Sequence, residues 1–173
     1  MTDMIKNIEN RSETGIQLLA SDLSGCVGQK GLLQLALDAV LALDPKQIQE
    51  ARRDSDGFSP QMLLTLLTYC YSASIYGSRD IEWAIHNNRI VRYICARSYP
   101  GWQTLRRFRR HRRALLHECL VYVAKQVWAL KFDEGEADYV GYEWFELQLL
   151  DVVNKAALDR LDIAALMDGA ESD

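Results

Sequence analysis

Proline and glycine are scarce in this sequence, with 3 and 10 residues among 173. Because these residues end helices and form tight turns, a chain with so few of them has few obligatory breaks. Apolar residues recur at helical spacing along most of the chain, and no segment shows the strict alternation of a strand. The sequence therefore predicts an all-α fold, a multi-helix bundle.

Long hydrophobic runs are also missing. No stretch approaches the roughly 18 apolar residues that a membrane-spanning helix needs. The N-terminus is polar and charged as far as Ser12, without the apolar region of a secretory signal. We therefore expect a cytoplasmic protein with no membrane partner.

The cysteines form no recognisable pattern of ligands or disulfides. No two are close in sequence, each has apolar neighbours, and a C-x-x-C pair is absent. The three histidines have no serine or cysteine partner suggested by the sequence, so nucleophilic catalysis is not indicated. We expect no metal and no cofactor, and we interpret the thiols as small buried apolar groups. They are Cys26, Cys70, Cys95 and Cys119.

Charge is divided unevenly along the chain, although the net charge is only −4. Residues 1–75 carry 6 basic and 9 acidic side chains, and residues 126–173 carry 3 basic and 12 acidic. Between them, residues 76–125 carry 11 basic and 3 acidic side chains, a net charge of +8. A basic block inside an acidic protein indicates a local surface for a polyanion.

An arginine run dominates this block, since residues 105–113 read LRRFRRHRR. Arginine pairs bidentately with phosphate or with the O6/N7 edge of guanine, and six arginines in eight residues repel one another unless an anion neutralises them. The alternative is a solvated helix face. Because the turn Pro100-Gly101 precedes a helix predicted from Trp102 to Phe132, the order is that of a helix-turn-helix whose second helix begins with base-reading side chains. The carboxylates at positions 133, 134, 136 and 138 are better explained by a solvated loop than by magnesium.

Local patterns predict further details of the helices. Asp44, Ser59 and Ser78 are expected N-caps, the first two followed by proline. Residues 1–13 are expected to be frayed, residues 143–157 and 158–167 to form two helices, and the tail from 168 to be disordered. Trp83 and Trp128 are expected in the core.

Two segments resemble a known family. Residues 59–64 (SPQMLL), 69–71 (YCY) and 77–84 (GSRDIEWA) are similar to an apolar helix and a Ser-Arg-acidic-Ile-Glu helix of bacterial insertion-sequence transposases of the DDE type. Residues 99–109 (YPGWQTLRRFR) are similar to that family's Pro-Asp-His-Ser/Thr-Thr-Ile/Leu-x-Arg-Phe-Arg signature. The chain departs from it at Gly101, Trp102 and Gln103, where the family has Asp, His and Ser/Thr.

This resemblance implies an N-terminal domain that recognises terminal inverted repeats in double-stranded DNA. In the family an RNase H-like domain with three acidic metal ligands follows, and 173 residues do not accommodate it. Asp168-Gly169 is similar to the Asp-Gly at the first catalytic acid, a match that we interpret as chance. We therefore expect a non-catalytic, nucleoid-associated DNA-binding protein, a regulator or a transposition inhibitor. The expected division is a helical leader over 1–57, the DNA-recognition domain over 58–132 and an acidic extension over 133–173.

The expected DNA-binding residues lie on the basic helix, apart from Arg79, which lies on the helix expected to begin at Ser78. A protein-interaction module is the alternative, in which the arginine helix pairs with an acidic partner, with its own acidic C-terminal third or in a homodimer. A catalytic subunit completed by a second polypeptide is a third hypothesis. Arg106, Arg107 and Arg110 are the candidates for base edges, with Arg112 and Arg113 for phosphates. The full expected set is Arg79, Trp102, Gln103, Thr104, Arg106, Arg107, Arg109, Arg110, Arg112 and Arg113.

Overall fold

The computed structural model describes residues 2–132 and 139–170, and every regular element in those two ranges is a helix. The predicted all-α fold is confirmed. A 3₁₀ turn over Arg52–Asp54 follows the fourth of the α-helices. The α-helices are α1 Thr2–Ala20, α2 Ser24–Val27, α3 Gln29–Leu41, α4 Pro45–Ala51, α5 Pro60–Ser72, α6 Ser78–Asn87, α7 Arg89–Cys95, α8 Trp102–His111, α9 Arg113–Phe132 and α10 Tyr139–Ala170.

Two of the predicted helix starts are confirmed by their hydrogen bonds. The Asp44 carboxylate accepts from the amide of Lys46, and the Ser59 hydroxyl accepts from the amide of Met62. In both helices the next residue is proline, whose missing N–H is no loss at that position. The prediction for Ser78 is wrong, because Gly77 is the N-cap of α6 and Ser78 lies inside the helix.

The centre of the molecule is α5, in which eleven of thirteen residues are buried. The helices α3 and α9 pack against α5 and against each other, and α10 packs along α9. One core cluster extends from Leu19 to Ala164 and so draws on all three segments into which the sequence was divided. That division stays a prediction.

The N-terminal helix crosses α9 at a glycine. Gly15 faces Trp128 so closely that an added Cβ would overlap the indole ring. Trp128 is buried as predicted, whereas the prediction for Trp83 is wrong because 67% of its surface is exposed. The frayed leader predicted over residues 1–13 is also wrong from Thr2 onward, since α1 begins there.

The C-terminal part differs from the prediction of two helices and a disordered tail. One helix runs from Tyr139 to Ala170, and Asp168 within it is only 2% exposed. The tail prediction is wrong for Asp168 because that residue is held by partners on α6 and α8. The carboxylates predicted as a solvated loop, at positions 133, 134, 136 and 138, lie outside the described residues.

The predicted long helix from Trp102 to Phe132 is interrupted. Arg112 separates α8 from α9, with φ of −118° and ψ of 30°. Leu105 and Phe108 before the break and Leu116 after it are all fully buried. A straight helix has no continuous apolar stripe through the arginine run, so the bend lets both halves face the core.

Among the described helices, none is long and apolar enough to cross a membrane. The four cysteines are free thiols, three of them buried and Cys26 half-buried.

Candidate nucleic-acid interface

The start of α8 is fixed by two residues of α6. The amide of Trp102 donates to Oε2 of Glu82 at 2.9 Å, so a carboxylate caps the positive end of the helix. The guanidinium carbon of Arg79 lies 4.6 Å from the centroid of the Trp102 ring, a cation–π contact. Leu105 and Phe108 then anchor the helix in the core. Two expected site residues, Arg79 and Trp102, are thereby brought together at the surface.

The outer side of α8 borders an open cleft of about 520 Å³. Gln103, Arg107 and Arg110 are exposed, and Arg106 is half-buried. No acidic side chain lines this cleft in the part of the chain that the structure describes. Its lining residues are Trp102, Gln103, Arg106, Arg107, Arg110 and His111.

Asp56 holds one edge of this surface. It forms an ion pair with Arg107 and accepts a hydrogen bond from the Thr104 hydroxyl at 2.8 Å. Asp56 lies in the loop before α5 and has a positive φ of 51°. Two expected DNA-binding residues are therefore engaged by a carboxylate of the same chain, although Arg107 is still about half exposed.

Arg109 does not belong to the exposed surface. It is 4% exposed, and its Nε and Nη2 atoms donate to Oδ2 of Asp168 at 3.1 and 2.7 Å. The same carboxylate accepts from the amide and the hydroxyl of Ser78, at 2.9 and 3.0 Å. This position corrects the expectation for Arg109: its guanidinium points into the protein and joins α6, α8 and α10.

Arg112 and Arg113, expected to meet phosphates, are also paired within the chain. Arg112 donates to Asp54 at 2.8 Å and to the carbonyl of Glu50 at 2.9 Å. Arg113 donates to Asp162 of α10 at 2.6 Å, and it is about two fifths exposed. Four of the six arginines in the run thus have aspartate partners among the described residues.

The carboxylates that organise α8 were missed by the sequence reasoning. Glu82 was considered only as part of the segment that resembles the transposase family, and Asp54 and Asp56 were not singled out. Their partners lie 20 to 58 positions away in sequence. No local pattern indicates such distant pairs.

Two thiols are buried and protonated, and the described residues form no metal site. Burial raises the pKa of Cys95 to about 11 and that of Cys119 to about 12, so both thiols stay protonated at neutral pH. Among the described residues, no three His, Cys, Asp or Glu side chains come together as metal ligands do. Asp168, whose similarity to the family's first catalytic acid we interpret as chance, is buried in its ion pair with Arg109.

Neither the curated proteins nor the solved structures contain a match to the chain. One family model matches, that of a transposase domain (DUF772), over residues 37–111. The match begins within α3, earlier than the resemblance seen in the sequence, and ends at the last residue of α8. It contains the whole cleft and Arg79, and over this segment the chain is similar to a transposase domain.

Proposed function

We propose that the protein binds double-stranded DNA sequence-specifically through the exposed side of α8, as a transposase terminal-repeat recognition domain would. The observation that carries the proposal is the cleft on α8, which is lined by cations, an amide and an indole without a carboxylate. It lies inside the segment that matches the transposase domain. A protein of this kind would reside with the nucleoid and act as a regulator or a transposition inhibitor.

The spacing of the exposed side chains suits a major groove. Gln103, Arg107 and Arg110 lie three or four residues apart, on one side of the helix. The major groove is wide enough to admit an α-helix, and arginine and glutamine read guanine and adenine edges there. In this arrangement Arg79 and Trp102 lie at the N-terminal end of α8, which is where a recognition helix approaches the bases.

We propose further that the protein performs no strand cleavage or joining. This part is supported by the ion pair of Asp168, because a carboxylate held by Arg109 and Ser78 in the interior cannot reach a DNA strand. Incubation of supercoiled plasmid with the protein and Mg²⁺ or Mn²⁺ should leave the plasmid intact. Metal-dependent nicking that follows the protein through purification would contradict this proposal.

DNA binding is tested by selecting bound sequences from a random duplex pool. The enriched duplex and a scrambled one are then titrated at several salt concentrations. Arg110→Ala should weaken binding to the enriched duplex by about 1–3 kcal/mol and relax the preference at one position. Lys46→Ala, an exposed cation on α4, is the matched control and should bind as the parent does. No enrichment from the pool, or equal binding by both variants, would contradict the proposal.

A protein-interaction module is the second candidate, favoured by the outer side of α10. Large apolar side chains are exposed at six positions along α10, and exposed apolar surface is typical of protein interfaces. If α10 forms a homodimer, sedimentation should give twice the monomer mass, and Leu166→Lys should restore the monomer. A monomer that binds duplexes would favour the first candidate. The exposed residues are Leu147, Leu150, Leu158, Ile163, Leu166 and Met167.

A further inference from the structure

A second basic surface lies between α3 and α7, away from the arginine run. It is a groove of about 1180 Å³, and no carboxylate lines it in the described part of the chain. Its cations are Lys30 on α3, Arg89 and Arg92 on α7, and Arg97 after α7. All four are exposed, and none is ion-paired with any residue among those described. This differs from the arginine run, in which aspartates neutralise most of the charge.

The groove also exposes two aromatic rings. Tyr93 is 72% exposed and Tyr99 is 54% exposed, and both line the groove. One face of Tyr99 is stacked on His86, with ring centroids 5.1 Å apart and planes within 4° of parallel. A ring supported in this way is oriented for a further flat group, and Leu33 and Leu37 provide apolar surface beside it.

The backbone beside the groove is held in an uncommon conformation. Ala96 and Arg97 both have positive φ, 46° and 71°, a region that residues with a Cβ rarely adopt. Ala96 is the left-handed C-cap of α7, a common way for a helix to end, and Arg97 continues the turn. Here they turn the chain between Tyr93 and Tyr99, so that both rings face one groove.

We propose that this groove binds unpaired DNA, with its cations on the phosphates and Tyr93 and Tyr99 stacked on bases. Basic grooves with exposed aromatic rings are the usual construction of single-strand sites, because every base has a stacking face. A duplex is a poor occupant, since its bases are already stacked on one another and present only their edges. An acidic peptide would satisfy the cations but leave both rings unused.

The position of the groove suits a strand that leaves a duplex on α8. Tyr99 is three residues from Trp102, so their Cα atoms are at most about 10 Å apart along an extended chain. The residues that line the groove are nevertheless different from those that line the cleft on α8, so the single-strand proposal does not depend on duplex binding by α8. The two sites can therefore be tested separately.

The test measures binding of a fluorescent oligothymidine of about 12 nucleotides, within the usual range of single-strand sites. An abasic oligomer of the same length supplies the same phosphates without bases, and a polyglutamate of equal charge represents an acidic protein. Tyr93→Ala removes one ring, Tyr93→Phe keeps it, and Arg110→Ala alters only the α8 surface. Because Tyr93 is largely exposed, neither change at this position disturbs the core.

Tyr93→Ala should weaken oligothymidine binding about fivefold or more, the range found for loss of one base–aromatic stack. Tyr93→Phe should bind as the parent does, and the abasic oligomer should bind more weakly and be insensitive to Tyr93→Ala. Arg110→Ala should weaken a short duplex and leave oligothymidine binding unchanged, so failure of one site is distinguishable from failure of the other.

Three results would overturn the single-strand site. Equal binding of oligothymidine by Tyr93→Ala and the parent would mean that the ring contacts no base. If the abasic oligomer or polyglutamate bound as tightly as oligothymidine, the groove would bind anions in general and not unpaired bases. A loss in Tyr93→Phe equal to that in Tyr93→Ala would assign the contact to the hydroxyl instead of the ring.

Discussion

Arg109 and Asp168 form a buried ion pair that links the C-terminal end of α10 to the buried face of α8. Both guanidinium donors reach one carboxylate oxygen, and Ser78 satisfies the other through its amide. An unpaired charge in this position would be costly, whereas the pair with its hydrogen bonds is tolerated. The arginine therefore positions the face of α8 that carries Arg107 and Arg110, instead of contributing to that face.

Asp168→Asn should destabilise the protein markedly because it leaves the Arg109 charge buried without a counter-ion. Removing one partner of a buried pair costs about 3–5 kcal/mol, measured as the free energy of unfolding in urea. The matched control is Asp162→Asn, whose partner Arg113 is partly exposed, with an expected cost of about 0–1 kcal/mol. If both variants unfolded at the same urea concentration, the buried pair would have no special role.

Arg160 is a second buried cation, and it is held by neutral groups. Its Nη1 atom donates to the carbonyl of Tyr71 at 2.6 Å, and its Nη2 atom donates to the carbonyls of Leu19 and Ser21 at 2.7 and 2.6 Å. Burial lowers the pKa of this guanidinium.

Arg160→Lys should destabilise the protein because an ammonium cannot reach acceptors on both α1 and α5. Each buried carbonyl left without a donor costs about 1–3 kcal/mol, so we expect a loss of that order in urea unfolding. Lys155→Arg, at an exposed position of the same helix, should change nothing. Parent-like stability of Arg160→Lys would show that water replaces the lost donors.

The sequence predicted the elements of this fold better than the contacts between them. Asp44 and Ser59 cap their helices through atoms two or three residues away, so a local pattern is enough to find them. The arginine run interrupts the apolar stripe of the helix predicted from Trp102 to Phe132. Such an interruption fits either a straight helix that exposes its charges or two helices that bend at Arg112, so the bend was not predicted.

The sequence predicted a cationic surface at the start of the basic helix, but not the carboxylates that neutralise part of it, and its role in DNA binding stays a prediction. Counting arginines placed a cationic surface on α8, and the Trp102 and Arg110 side chains do lie at the cleft. Which arginines remain exposed depends on carboxylates such as Asp56 and Asp168, which are distant in sequence. The groove around Tyr93 was not predicted for the same reason, because its cations come from α3, from α7 and from the residues after α7, and they form no run in sequence.

Alkaline pH should destabilise the protein through its buried thiols. Burial raises the pKa of Cys95 to about 11 and of Cys119 to about 12, from 9.0 in an exposed thiol. The folded state thus keeps protons that the unfolded chain releases, so the contribution of these thiols to stability is constant below about pH 9 and falls above it. The slope is at most about 1.4 kcal/mol per pH unit for each such group.

Urea unfolding at a series of pH values measures this slope. Cys95→Ala should make the decline between about pH 9 and 11 shallower, because it removes one group that titrates there in the unfolded chain only. If the free energy of unfolding fell as steeply with pH in Cys95→Ala as in the parent, the decline would be due to other groups. Tyr69 is one such group, because burial raises its pKa to about 12.

Asp56 should restrain duplex binding, because it pairs with Arg107 at the rim of the α8 cleft and its own charge repels phosphate. Asp56→Asn keeps a side chain that can accept from Thr104 and removes the charge. An exposed ion pair is worth about 0.2–1 kcal/mol, so the variant should bind duplex up to about fivefold more tightly at low salt. The gain in duplex affinity should shrink as salt screens the charges.

Asp80→Asn, an exposed acid on α6 that forms no ion pair among the described residues, is the control for a general charge effect. If the two variants gained equally, net charge would explain the change. Weaker binding by Asp56→Asn alone would mean that Asp56 orients Arg107 and Thr104 for DNA instead of competing with it.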